Sequence, residues 1–256
     1  MTDAPAFLAA DHVSFTVPDL EAAIAFYTDT FGARELFRMG PLAASEIPAM
    51  PDGRDWMEAH VGVAGATLTL AMLALVDNLN LQLVQYDAPG DRNPVPPRNC
   101  DAGGHHLALR VDNVDKAAAY LAAKGCTVQN IIEISEGPLA AGEIPAMPDG
   151  RDWMEAHVGV AGATLTLAML ELVGNLNLQL VQYDAPGDRN PVPPRNCDAG
   201  GHHLALRVDD VEKAAAYLAA RGCTVQNIIE ITEGPLAGKK NLYIRDPFGH
   251  SLEIVD

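Results

Sequence analysis

Nine residues, Gly-Gly-His-His-Leu-Ala-Leu-Arg-Val, occur twice, at 103–111 and letter for letter at 200–208. Read as a strand, the first copy sets His106, Ala108 and Arg110 on one face and Leu107, Leu109 and Val111 on the other. A looser version, His12-Val-Ser-Phe-Thr-Val17, sets His12, Ser14 and Thr16 opposite Val13, Phe15 and Val17. Each strand therefore carries an imidazole, near its start, into whatever space a sheet encloses, while its apolar face is free to pack on a helix. Taken alone, each imidazole is compatible with a purely structural role. Converging, they could hold a metal ion or move a proton.

The elements that would position them follow in order. Pro18 ends the first strand and Asp19 is an N-cap. Leu20, Ile24, Tyr27 and Phe31 then make an amphipathic stripe that Gly32 stops. Arg34–Met39 reads as a strand and Pro41–Asp55 as a loop. Trp56–Val63 and Asn80–Tyr86 read as strands, with Ala66–Leu75 a weaker one. Ala88–Gly103, rich in Pro and Gly, is a linker. After His106 the pattern resumes. Asn113 is the N-cap, Val114, Ala118 and Leu121 form the stripe, Gly125 is the stop, and Cys126–Ile134 is a strand. The unit continues through 142–150, Trp153–Val160 and Asn177–Tyr183. The last unit starts at His203 and closes with a hairpin, Asn241–Arg245 and His250–Val255. Its Asp246-Pro247-Phe248-Gly249 corner suits a type I turn.

The repeat is larger than the nine residues. Glu46–Ala140 matches Glu143–Ala237 at an offset of 97, and only six pairs differ: Ala74/Glu171, Asp77/Gly174, Asn113/Asp210, Asp115/Glu212, Lys124/Arg221 and Ser135/Thr232. This period is too long for a solenoid unit. Residues 1–45 and 238–256 occur once, so removing one copy leaves a continuous parental chain of about 159 residues. An α+β chain of three βαβββ modules results, at 10–87, 104–184 and 201–256, where the parent would have two. The middle module is a hybrid of both parental halves.

Composition sets outer limits. An apolar fraction of 48% in 256 residues supports a sizeable core. The net charge of −17 argues against nucleic acid and anionic membranes as partners. No apolar run approaches a membrane span, and the N-terminus lacks a signal-peptide pattern, so a cytoplasmic protein is expected. Cys100, Cys126, Cys197 and Cys223 have no zinc-ribbon spacing and read as reduced thiols.

Three stretches, in this order, resemble the vicinal oxygen chelate superfamily of glyoxalase I, methylmalonyl-CoA epimerase, extradiol dioxygenases and bleomycin resistance proteins. They are His12-x-x-Phe-x-Val-x-Asp19, Gly201-His-His-Leu-Ala-Leu-Arg-Val-Asp-Asp210 and Tyr243-Ile-Arg-Asp-Pro-Phe-Gly-His-Ser-Leu-Glu253. The resemblance implies paired half-barrels around a divalent metal, held at His12, Gln82, His203 and Glu253. Imidazole, amide oxygen and carboxylate suit Zn, Ni, Co, Mn or Fe. It also implies Glu58 as a proton-abstracting base and Tyr243 as an active-site tyrosine, with Glu253 in the catalytic set. His105 and His202 face away and are expected to be structural.

Three functions remain open on these residues. One is a metal-dependent lyase or epimerase of a small oxygenated substrate. Another is an Fe(II) extradiol-type dioxygenase with His12, His203 and Glu253 as a facial triad. The last is a non-catalytic binding protein or an engineered duplication. Pairing is open as well. First-with-third pairing keeps the four parental ligands, whereas first-with-second gives His12, Gln82, His106 and Gln179, a set without a carboxylate. Three modules leave one unpaired, so a homodimer pairing modules between chains is expected.

Overall fold

β1 (Phe7–Thr16) runs at the centre of a nine-stranded sheet in this computed structural model, which describes residues 4–76, 79–129, 131, 152–173 and 176–256. It leads into α1 (Leu20–Phe31), β2 (Arg34–Ala43), α2 (Trp56–Val61), β3 (Thr67–Val76) and β4 (Leu79–Ala88). Next come α3 (Val114–Ala123), α4 (Trp153–Val158), β5 (Thr164–Val173) and β6 (Leu176–Ala185). The chain ends with β7 (His202–Val208), α5 (Val211–Ala219), β8 (Thr224–Val225), β9 (Ile229–Glu230), β10 (Lys240–Arg245) and β11 (Ser251–Val255). It divides into two units. One comprises residues 1–96, 171–178 and 192–256, and the other 97–170 and 179–191.

In the first unit the strand order is β2-β3-β4-β1-β7-β11-β10-β8, with β9 beside β10. This order reads the same from either end. Each half places its first strand parallel to its last, β1 to β4 and β7 to β11, and the two first strands meet antiparallel. The first module therefore pairs with the third. Apolar residues on one face meet a helix: Leu206, Val208, Leu242 and Ile254 pack with Val211 and Ala214 of α5. The opposite face carries the histidines.

Local caps explain the helices. Asp19 accepts from Ala22 N at 2.9 Å, and Gly32 closes α1 at φ 69°. The Trp56–Val63 segment, expected as a strand, is helical over Trp56–Val61. Asp55 caps Glu58 N at 2.8 Å and also accepts from Gly65 N at 2.9 Å, tying the helix to its return loop. The third strand of the module is instead the 67–76 segment. The Asp246 corner closes as expected, with Gly249 N donating to Asp246 O at 3.0 Å.

The second unit repeats local contacts of the first. Asp152 caps Glu155 N at 2.7 Å, and Asn99 Nδ2 donates to Val158 O at 2.9 Å, as Asn196 does to Val61 O at 3.0 Å. Cys100, Val160 and Ala163 form its small core with Met154, Val158 and Tyr183. Residues 106–111, expected as a strand, carry no ladder. Their twin β7 owes its strand character to β1 and β11, and each of those occurs once in the chain. Of the expected 126–134 strand, the described residues 126–129 and 131 are not in a strand. Residues 132–134 and the 142–150 segment lie outside the described residues.

Candidate metal centre

The register of the central strands assembles the site. Ser14 of β1 stands between Gln82 of β4 and His203 of β7. In the next row His12, Ala205, Glu253 and Tyr243 follow one another across β1, β7, β11 and β10. Neighbours across a ladder share a face, so both rows point the same way. Ala205, fully buried, has a side chain small enough to let the groups of flanking strands converge over it.

They converge closely. His12 Nε2 lies 3.1 Å from His203 Nε2, and each lies 3.1 Å from Glu253 Oε2. Among the described residues this is the buried donor group that could hold a metal ion. Glu253 Oε2 has no well-formed hydrogen bond in spite of those distances, while the two Nε2 atoms stand at hydrogen-bonding distance from each other. A 3.1 Å triangle matches the spacing of neighbouring ligands around one ion with bonds of about 2.0–2.2 Å, so the residues fit a divalent metal.

Surrounding groups hold the donors in place. Asp11 Oδ1 meets His12 Nδ1 at 2.9 Å and is itself paired with Arg207. That carboxylate–histidine pair orients the ring and strengthens its Nε2 as a ligand. Asn241 Nδ2 donates to Glu253 Oε1 at 3.2 Å, and Ser14 Oγ donates to Gln82 Oε1 at 3.1 Å. Burial pushes His12 toward the neutral form, but the Asp11 and Glu253 carboxylates more than reverse this and raise it to about 9. For His203 burial dominates and the pKa falls. Burial opposes the charge of Glu253, yet the two imidazoles hold its pKa well below the usual range. Burial also holds the Tyr243 phenol well above its ordinary value.

A family model described as the Glyoxalase/Bleomycin resistance protein/Dioxygenase superfamily matches residues 9–153 and 169–254. The chain belongs to this superfamily. It is 42% identical over 139 residues to a 2-epi-5-epi-valiolone epimerase from Actinomyces sp, covering 53% of this chain and 70% of the relative. A candidate dioxygenase from Bacillus subtilis subsp. subtilis str. 168 shares the fold at TM-score 0.55 and 12% identity, over 98% of this chain and 86% of that one. A glyoxalase I mutant from Zea mays aligns at TM-score 0.46 and 17% identity, over 96% and 92%.

Glyoxalase-superfamily members share this half-barrel geometry, and here it gathers His12, Gln82, His203, Glu253 and Tyr243. Tyr243 Oη lies 3.4 Å from His203 Nε2. Glu58 sits half-buried on α2. In a strand it would share a face with residue 60, but at about 100° per helical residue the two point to opposite sides. His106 is exposed and Gln179 half-buried. His105 and His202 each place Nδ1 3.2 Å from a glycine carbonyl, Gly103 O and Gly200 O.

His60 escaped the sequence reading. It is buried on α2 with its ring edge-on to Tyr243, centroids 5.0 Å apart. The Asp55-x-x-Glu58 spacing, which is that of a capping box, together with Gly62 was the signal for a helix there.

Proposed function

We propose that this chain is a metal-dependent epimerase or lyase acting on a small oxygenated substrate. The observation that carries this is the triangle of His12 Nε2, His203 Nε2 and Glu253 Oε2, with one carboxylate oxygen left without a hydrogen bond inside the barrel. The 42% identical relative, an epimerase of 2-epi-5-epi-valiolone, supports the same reading. His12, His203 and Glu253 hold the ion, and Gln82 offers an amide oxygen in the adjacent row. A metal bound there acts as a Lewis acid toward substrate oxygens. Asp11 and Asn241 fix the donors' orientation, the apolar wall of Leu68, Val84 and Tyr86 excludes water, and Tyr243 stays a protonated hydrogen-bond donor beside His203. Glu58 remains the proposed base, and reaching substrate from α2 would require a side chain that turns toward the barrel. The test is incubation of the metal-loaded protein with 2-epi-5-epi-valiolone in deuterium oxide. Deuterium entry at one carbon with appearance of an epimer is expected, and the absence of both with every divalent metal would refute the reading.

The 3.4 Å approach of Tyr243 Oη to the His203 ligand favours a second reading, an Fe(II) extradiol-type dioxygenase using His12, His203 and Glu253. Oxygen uptake with catechols by the iron-loaded protein distinguishes it.

The modules at 10–87 and 201–256 form one barrel, and we assign the 104–184 module to a barrel shared with a second copy of the chain. Met169 and Leu180 of its hairpin are 58% and 48% exposed, whereas their twins Met72 and Leu83 are 5% and 0% exposed. Light scattering on the purified chain should return a dimer. A monomer that keeps its folded spectrum would overturn this assignment.

A further inference from the structure

His60 is a buried polar residue that the metal centre does not use. The position of α2 is determined from both sides. Asn227 N donates to Ala59 O at 3.0 Å, Asn196 Nδ2 to Val61 O at 3.0 Å, and Arg54 to Asn227 Oδ1 at 2.7 Å. Met57, Val61 and Val63 fill the apolar wall. Within this frame the His60 ring lies against Trp56 at 4.7 Å and edge-on to Tyr243 at 5.0 Å, and Tyr243 in turn is edge-on to His203 at 5.0 Å. His60 is therefore one aromatic ring away from the metal ligands. Its Nδ1 is buried with no hydrogen-bond partner. An unpaired buried imidazole nitrogen is costly, and of the three such buried atoms among the described residues Glu253 Oε2 belongs to a ligand, Asn241 Oδ1 to the residue that holds that ligand, and His60 Nδ1 is left for a ligand atom to complete. Burial, only partly opposed by Glu253, lowers its pKa to about 4, so the ring is neutral and offers one donor and one acceptor.

We propose that His60 contacts the substrate, hydrogen-bonding a hydroxyl or carbonyl oxygen that lies beyond the oxygens held at His12, His203 and Glu253. This rests on the epimerase reading for the identity of the substrate, but not for the contact itself. A site so equipped selects small skeletons with at least three oxygens over simple two-oxygen chelators. It would discriminate by leaving the imidazole unpaired when the third oxygen is missing.

The test uses the full chain loaded with Co2+, whose visible absorption reports ligand binding. Tropolone, whose two oxygens are both used in chelation, is compared with 2-epi-5-epi-valiolone in wild type, His60→Phe and His60→Asn. The expected result is an at least tenfold weaker affinity of His60→Phe for the valiolone with tropolone unchanged within twofold, and partial recovery in His60→Asn. Equal losses for both ligands, or for neither, would overturn the proposal. Should the variants fail to fold, 15N signals of the His60 ring in the wild type decide. They shift on addition of the valiolone but not tropolone if the contact exists, and unmoved signals refute it. Deuterium exchange separates the two proposals. Exchange by the wild type with KM and kcat untouched in His60→Phe sinks His60 alone. No exchange, together with the affinity difference, sinks the epimerase reading alone.

Discussion

Replacing Glu253 by Gln keeps the volume of the side chain and an acceptor for Asn241 but removes the charge that both imidazoles face. In the metal-free protein that charge helps keep a proton on His12, whose pKa rises from 6.5 to about 9. A histidine with a raised folded pKa stabilises the fold while protonated. Its contribution is complete below the unfolded value of 6.5 and is lost as pH rises through about 9. The rise from 6.5 to about 9, at about 1.4 kcal/mol for each tenfold change in proton affinity, is worth about 3 kcal/mol. His203 and Glu253, both lowered, act in the opposite window. Their contributions are complete above their unfolded values and are lost on acidification. The buried thiols of Cys100 and Cys197, raised by burial, add a loss above about pH 9 that every variant shares. Urea unfolding of chelator-treated protein between pH 6.5 and 9.5 should therefore show the wild type losing about 3 kcal/mol. Glu253→Gln should start less stable and lose less than half as much. Identical slopes in the two proteins, or a wild type whose stability is flat across this range, would refute the coupling of His12 to Glu253.

Two further outcomes follow from the register. Ala205→Leu places a branched side chain among the three donors. Overpacking should cost about 1–3 kcal/mol, and metal content by elemental analysis should fall to a small fraction of the wild-type value; full metal content would show that the space over Ala205 is not the site. His203→Ala should abolish bound metal, whereas His106→Ala with Gln179→Ala should leave about one ion per chain, because Glu253 has no counterpart in the middle module. A loss of about a third from a starting value near 1.5 per chain would instead reveal a second, shared site.

The chemistry was more legible than the elements that carry it. The resemblance implied the set His12, His203 and Glu253, and strand parity, which depends only on counting by two, agreed with it within each strand. Gly201 was legible as a landmark though its reason was not. A Cβ there would collide with the Asn196 carbonyl, so the backbone can lie close against residues 195–196 as it enters β7. The 56–63 segment was misread because Trp, Val and His satisfy a strand pattern over a short window, and six residues are too few for a helical stripe to show. That error hid His60, since a strand would have set residues 58 and 60 side by side. Asn241 was out of reach of any local pattern, because it acts across β10·β11 and only the register brings it to Glu253. Asp11 adjoins His12 in sequence, but its pairing with Arg207 is made across β1·β7.

The duplication turns one chain into its own control. The hairpin sequence, changed only at Ala74/Glu171 and Asp77/Gly174, buries Met72 in β3 and leaves Met169 in β5 mostly exposed. The same Gly-Gly-His-His stretch is the strand β7 at 200–208 and carries no ladder at 103–111. Propensity cannot explain the second contrast, because those residues are identical. What differs is supply: β1 and β11 are each encoded once, and β7 occupies the edges of both. Local contacts are copied faithfully, down to the Asn99 and Asn196 bonds to their helix carbonyls. Long-range pairing is not, since it needs a partner strand that the copied segment does not contain. The His12–His203–Glu253 cluster, built from first and last strands, is long-range by construction. Doubling the middle of the chain therefore doubles its histidines without doubling the centre, unless a second chain brings another module to the same edge.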